Sequence, residues 1–380
     1  MTNMHRRAFA RWNALQALGN RYSWWLGKRS APLRVIIDST GWRLSRVAYQ
    51  LAGRPKATLS WPLGLSYLLL NGEPTKLTAQ ARWVDHGLSQ ISLADQAQSR
   101  LHIDMGGLGY AALALESGYG FQRGYLEQAR SMGERYLSRT GAGAGLITYA
   151  EHRSEVLVDT LAMLCPFLAR LSRLTDDSRY LETALAQLNS FMRFAENAET
   201  GWVTHGFDAK TLTPLGPPGW GRGIGWQLLG LTDTLMEIDD PTMREPLERA
   251  CKALLIKLAN VQLANGHWPW QLTDTTQQSD SSVTALLCYG LGRLLSQEGD
   301  ASSPFVEFLP LLKRGRTALD SSTTETGLVD DSSGEAAGVG SYSRQFGCHL
   351  WSLAPTVALD AISLTTSAHM EIPGTLSARL

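Results

Sequence analysis

A helical repeat most limits what this chain can fold into. From about Leu33 to Leu294 the apolar residues recur at helical spacing, and two kinds of helix alternate. One kind is apolar on nearly every side. Between Leu157 and Leu171, Val158, Leu161, Ala162, Cys165, Leu168 and Ala169 form one stripe, and Met163, Leu164 and Phe167 cover much of the rest. Such a helix leaves no face for water and belongs inside. The next segment, Ser178 to Ala195, is of the other kind. Leu181, Ala184, Leu185, Leu188 and Met192 share its inner face, while Glu182, Gln187 and Asn189 face water.

The pairing recurs with a short signature at the start of each amphipathic helix. It reads Tyr125-Leu126-Glu127-Gln128-Ala129, then Tyr180-Leu181-Glu182-Thr183-Ala184, then Pro246-Leu247-Glu248-Arg249-Ala250, with weaker copies near Leu77–Ala81 and Phe305–Leu309. A spacing of about 50–65 residues is one helical hairpin plus a loop, so one unit is being repeated. Five or six hairpins, with buried helices inside and amphipathic ones outside, predict an all-α chain closed into an (α/α)6 toroid, a six-hairpin barrel. Open solenoids use shorter and more uniform repeats. The spacing places inner-ring helix starts near Gly106, Val158, Gly221 and Ser281. No linker-like stretch divides the chain, so residues 31–380 read as a single domain.

Composition narrows the classes of function. The 380 residues are 44% hydrophobic, and 35 basic side chains balance 35 acidic ones. A disordered chain is excluded, and no overall field draws in nucleic acid or an anionic membrane. No stretch reaches the roughly 18 apolar residues of a membrane span. Four scattered cysteines (Cys165, Cys251, Cys288, Cys348) form no CxxC pair, which favours a reduced, cytoplasmic setting and speaks against structural zinc. Residues 1–30 are rich in Arg and Lys. They read as a basic N-terminal extension and not as an export signal, because Arg11, Asn13 and Asn20 interrupt the apolar run.

The expected loops, about Ser138–Leu157, Ala198–Gly219, Asn265–Asp280 and Ser321–Leu350, all emerge at one end of such a toroid. They carry most of the unusual residues, including His205, His267, Trp202, Trp220, Trp268 and Trp270. Long loops on a rigid scaffold are where function sits. Asp159 opens an otherwise apolar inner helix, and Asp104 opens another in Leu101-His102-Ile103-Asp104-Met105-Gly106-Gly107. Each alone reads equally as a helix-start acid that meets free N–H groups. Together, on adjacent inner helices, they bring two carboxylates to one mouth. Such a pair can split its titration and keep one member as a general acid.

Further constellations stand beside plainer readings. Gly201-Trp202-Val203-Thr204-His205-Gly206-Phe207-Asp208 precedes Trp220-Gly221-Arg222-Gly223-Ile224-Gly225-Trp226. His205 is a candidate contact or a structural hydrogen-bonding residue. Trp220 offers a stacking platform, and Arg222 offers a donor fork for a carboxylate. The alternating glycines lack the preceding strand of a dinucleotide fingerprint. Gly266-His267-Trp268-Pro269-Trp270 leads to Asp280-Ser281-Ser282, which is also a good helix cap.

On these residues the chain resembles the unsaturated uronyl hydrolases of glycoside hydrolase families 88 and 105. The segments that carry the likeness are Val158-Asp159-Thr160-Leu161-Ala162-Met163 with Cys165-Pro166-Phe167-Leu168, then Thr204-His205-Gly206-Phe207-Asp208, the Trp220–Trp226 run, and Asp280-Ser281-Ser282. The resemblance spans roughly residues 60–295. It implies an (α/α)6 barrel that removes a Δ4,5-unsaturated uronic acid from the non-reducing end of lyase-made oligosaccharides, by hydrating a vinyl ether.

By the same resemblance Asp159 is the acid–base residue and Asp104 its partner carboxylate. His205, Trp220, Arg222, Trp268 and Ser281 are substrate-binding positions, and neither a metal nor an organic cofactor is implied. Some members carry a Trp-His-Lys-like cluster about eleven residues before the catalytic Asp. Here that place reads Gly145-Leu146-Ile147-Thr148-Tyr149, with Thr148 and Tyr149 as the substrate-facing candidates. Other readings stay open: another toroid enzyme (lyase, epimerase or inverting hydrolase), or a non-catalytic saccharide-binding protein. A homodimer is equally open.

Overall fold

The computed structural model describes residues 3–22, 65–71, 77–89, 103–140, 145–151, 153–276, 278–296, 303–334, 336 and 338–366. In chain order the helices are α1 (Asn3–Tyr22), a 3-10 turn (Leu65–Leu70), α2 (Thr78–Leu88), α3 (Asp104–Tyr119), α4 (Tyr125–Leu137), α5 (Asp159–Thr175) and α6 (Ser178–Ala195). They continue as α7 (Gly221–Leu235), α8 (Pro241–Ala259), α9 (Ser281–Ser296), α10 (Leu309–Ser321) and α11 (Leu350–Thr366).

The apolar helices close into a ring. α3 packs on α5, α5 on α7, α7 on α9 and α9 on α11, and the turn Leu65–Leu70 touches both α11 and α3. Neighbours in the ring run the same way. Gly106 and Gly109 of α3 lie against Met163 and Phe167 of α5, and Gly221 and Gly225 of α7 lie against Val283 and Leu286 of α9. A Cβ on Gly106 would sit 2.4 Å from the Met163 carbonyl oxygen, so α3 and α5 meet there backbone to backbone. Trp351, at the start of α11, packs on Trp226 of α7 and beside Arg222. All these N-termini therefore stand at one end of the barrel.

The amphipathic helices form the outer layer. α2 lies on the 3-10 turn and α3, α4 on α3 and α5, α6 on α5, α8 on α7 and α10 on α9. Burial follows the alternation read from the sequence. Every residue of α7 and all of α5 from Thr160 to Ser172 are buried, whereas α6 buries one stripe. Gln187 departs from its expected place in water. It is buried, and its amide pairs with both the N–H and the carbonyl of Ile147, as a neighbouring strand would.

The basic N-terminal segment packs on the domain. Over Asn3–Tyr22 it is a helix seated on α11, the outer partner that this last ring helix needs. The physical reason is Arg11, which is 1% exposed and meets acids from both α10 and α11. It is bonded at 2.8 Å to both oxygens of Asp360 and to Asp320.

Toward the C-terminal ends of the ring helices a buried polar plug fills the barrel. Glu237 binds Arg170, Arg173 and Tyr110, while Asp233 binds Arg293 and Tyr289. Buried charges are tolerated when paired and hydrogen-bonded in this way. No helix among the described residues is long and apolar enough to cross a membrane.

Two small sheets, absent from the sequence reading, complete the N-terminal end. β1 (Glu155–Leu157), β2 (Gly206–Asp208) and β3 (Pro214–Leu215) are antiparallel in that order. β4 (Ser332–Ser333) pairs with β5 (Phe346–Gly347).

Candidate active site

β1 runs directly into Asp159, the first residue of α5. Because Leu157 pairs with Gly206 and the Val158 N–H donates to the His205 carbonyl at 2.8 Å, His205 is delivered beside Asp159. Only glycine fits at 206, since a Cβ there would lie 2.4 Å from the Val156 carbonyl oxygen. The outcome is His205 Nε2 at 3.4 Å from Asp159 Oδ2. Asp159 Oδ2 is buried and accepts no hydrogen bond from the described residues, while the side chain as a whole keeps 15% exposure. The capping role open to a helix-start acid is therefore not the one Asp159 plays. Asp280 does play it: its Oδ1 accepts from the Ser282 N–H and hydroxyl and from the Ser333 N–H.

An aromatic wall extends from His205. Its ring lies 4.5 Å from that of Trp220, Trp220 lies 4.8 Å from Tyr342, and Trp270 meets Tyr342 edge-on at 5.8 Å. Trp220 and Trp270 are brought together by backbone pairing, with the Gly221 N–H donating to the Trp270 carbonyl. Tyr342 belongs to the segment between β4 and β5. Its hydroxyl is 2.8 Å from His205 Nδ1. Burial, with the charge of Asp159 adding to it, pushes the Tyr342 phenol up to about 12.

The other expected positions fall into place differently. Asp104 opens α3 and is buried at the same end of the barrel as Asp159, on the adjacent parallel helix. Arg222 lies between Trp220 and Trp351, and its fork reaches the Ser282 hydroxyl at 3.4 Å and two backbone carbonyls. Nη1 donates to the Ser333 carbonyl at 3.0 Å and Nη2 to the Gly334 carbonyl at 2.5 Å, so it pins the base of the β4–β5 segment. Thr148 is buried, with its hydroxyl on the Ala150 carbonyl. Tyr149 is half-buried, its N–H on the Glu155 carbonyl. Ser281 is buried, and its N–H donates to the Asp331 carbonyl.

Trp268, expected as a sugar platform, is a core residue. Its indole N–H donates to the Leu258 carbonyl of α8, and its ring packs beside Gly315 of α10. A regular strand would turn residues two apart to one face, but the chain bends at Trp270, whose ring meets Tyr342 at the mouth while Trp268 stays in the core. Tyr342 and Trp270 were not singled out as site residues from sequence. The glycines just ahead of Tyr342 (Gly338 and Gly340, both at positive φ) mark a turn, but nothing local says what the turn faces.

A protein from Bacillus subtilis (strain 168), named unsaturated rhamnogalacturonyl hydrolase YesR, is 25% identical over 192 residues, or 48% of this chain. The match spans only 54% of that protein's length. Among solved structures, one from Salmonella enterica serovar Paratyphi A, described as a possible member of GH105 family, superposes with a TM-score of 0.69 at 19% identity. It covers 80% of this chain and 81% of its own. The unsaturated glucuronyl hydrolase of Bacillus sp. GL1 superposes with a TM-score of 0.58 at 19% identity, covering 80% and 84%. At such identities these structures establish the six-hairpin fold. Residues 74–345 match the model of Glycosyl Hydrolase Family 88, well over half of the 380, and the chain belongs to that family.

Proposed function

We propose that the protein removes Δ4,5-unsaturated uronic acids from the non-reducing ends of lyase-made oligosaccharides. The observation that carries this reading is the Asp159–His205 pair, a carboxylate at the mouth of the barrel that caps nothing and stands beside an aromatic wall. An unsaturated uronate ring is flattened around C4 and C5, and flat faces suit stacking on indole and phenol rings.

In this reading Asp159, in its acid form, passes a proton to C4. The electron pair of the C4–C5 double bond forms the new C–H bond, which leaves positive charge shared by C5 and the ring oxygen. The Asp159 carboxylate then takes a proton from water as the water oxygen bonds to C5, and the acid is restored. The C5 hemiketal opens to a ketone, and the hemiacetal at C1 releases the neighbouring sugar as an alcohol. One carboxyl group thus serves as acid and then as base. Asp104, on the adjacent helix, is the partner carboxylate. Arg222 contributes by holding the β4–β5 segment and its Tyr342 in place.

The kinship with a rhamnogalacturonyl hydrolase and the likeness to a glucuronyl hydrolase both point to an unsaturated uronide, and they differ in the sugar beyond it. The test is to offer unsaturated disaccharides of both linkage types and to follow loss of the double-bond absorbance together with release of free sugar. Loss with either type supports the reading. Persistence of the absorbance with both would overturn it.

A further inference from the structure

Tyr342 and His205 come from separate loops, and their contact has a direction. Tyr342 Oη lies 2.8 Å from His205 Nδ1, and the other ring nitrogen of His205 faces Asp159. A carboxylate oxygen on the Nε2 side calls for a donor there, which leaves Nδ1 to accept the phenol's proton. A neutral imidazole that accepts at Nδ1 carries its proton on Nε2. Nε2 is the nitrogen 3.4 Å from Asp159 Oδ2.

We infer that Tyr342 is a positioning residue: it holds His205 in the Nε2–H form, which turns a donor toward Asp159 Oδ2 and leaves Oδ1 to exchange protons with substrate and water. The assignment of work to Oδ1 rests on the hydrolase reading above, whereas the tautomer rests on geometry alone. Burial agrees with it, since Oδ2 is covered although the Asp159 side chain is partly exposed. The opposite tautomer would set the Nε2 lone pair against the carboxylate. It would also draw an acid proton onto Oδ2, where it would point at the imidazole and not at C4. A buried phenol with its titration pushed up to about 12 keeps its proton under all working conditions.

Tyr342→Phe tests this cleanly, because the ring is held separately by Trp220 and Trp270 and only the hydroxyl is lost. With nitrogen-15 in the histidines, the imidazole shifts report the tautomer directly, and His205→Gln identifies the resonance among the eight histidines. The expected result is Nε2–H in the parent and a mixture containing Nδ1–H in Tyr342→Phe. The hydrolysis rate kcat should fall by up to about tenfold, the upper end for one hydrogen bond between neutral groups, with KM nearly unchanged. In a His205→Gln background the same substitution should cost nothing further, since its effect passes through His205.

An Nδ1–H imidazole in the parent, or unchanged shifts and kcat in Tyr342→Phe, would overturn the assignment. A parent that turns over no unsaturated uronide removes the hydrolase reading and the role of Oδ1 with it. The nitrogen shifts still decide the tautomer in that case.

Discussion

Arg11 holds Asp360, 349 residues further along the chain, by two parallel hydrogen bonds of 2.8 Å. The pair ties the first outer helix to the last ring helix and so closes the barrel on itself. Fork-to-carboxylate geometry is the strongest form of such a contact, and both groups are almost out of water.

Removing Arg11 leaves the buried Asp360, among the described residues, only the longer 3.5 Å contact with Arg316, and breaking a buried pair costs up to about 3–5 kcal/mol. Arg11→Met should therefore lower the urea midpoint markedly. Arg11→Met combined with Asp360→Leu should recover much of the loss, because neither charge then remains buried alone. A single variant as stable as the parent would show that α1 is dispensable packing.

The ring and its outer layer were legible because burial writes itself into spacing. A helix covered on all sides, like α5, has no polar stripe, and one covered on a single side, like α6, must have one. Asp159 was legible for the same reason, as an acid where the pattern leaves room for none. What the pattern hid was pairing between distant segments. The positive charge of Arg11 reads as solvated until Asp320 and Asp360 are placed beside it. Trp268 and Trp270 look alike in sequence, and only the bend of the chain at Trp270 sends one to Leu258 and the other to Tyr342. Arg222 was read as a fork for a substrate carboxylate, and its hold on the main-chain oxygens of Ser333 and Gly334 carries no sequence signature.

Arg222→Lys bears on that last point. An ammonium is a single point charge and cannot span the Ser333 and Gly334 carbonyls together. Hydrogen bonds from charged donors contribute about 1.5–3 kcal/mol, so the segment carrying Tyr342 should loosen while the barrel stays folded. Limited proteolysis should cut faster between residues 334 and 346, with little change in the thermal midpoint. Equal cleavage rates would mean that the segment is held by its β4–β5 pairing alone.

His349, just ahead of α11, supplies a pH test. Burial first, and then the positive charge of Arg222, bring its imidazole down to about 4, against the pull of Asp280 and Asp330. The unfolded chain takes up this proton near pH 6.5 and the folded chain only near 4. Between those values the unfolded state binds more protons, so stability falls as the pH is lowered from 6.5 towards 4. Above 6.5 the residue contributes no slope. His349→Gln should flatten this part of the stability curve in denaturant titrations at stepped pH. An unchanged slope would place the proton uptake on another group.

Asp159→Asn addresses the chemistry itself. The amide matches the carboxylate in size and can still face His205, so the β1–β2 register and the barrel should persist. It can neither deliver a carboxyl proton to C4 nor take one from water. General acid–base groups are worth about 10²–10⁴ in rate, and one group that does both jobs should reach the upper end or exceed it. Double-bond loss should become undetectable while binding of the unsaturated disaccharide, read by calorimetry, remains near the parent's. Asp104→Asn removes only the neighbouring charge and should leave measurable turnover, below the parent's. Should Asp159→Asn keep the parent's turnover on every unsaturated uronide tested, the acid–base role would belong elsewhere at the mouth, and Asp104 is the residue to which it would then pass.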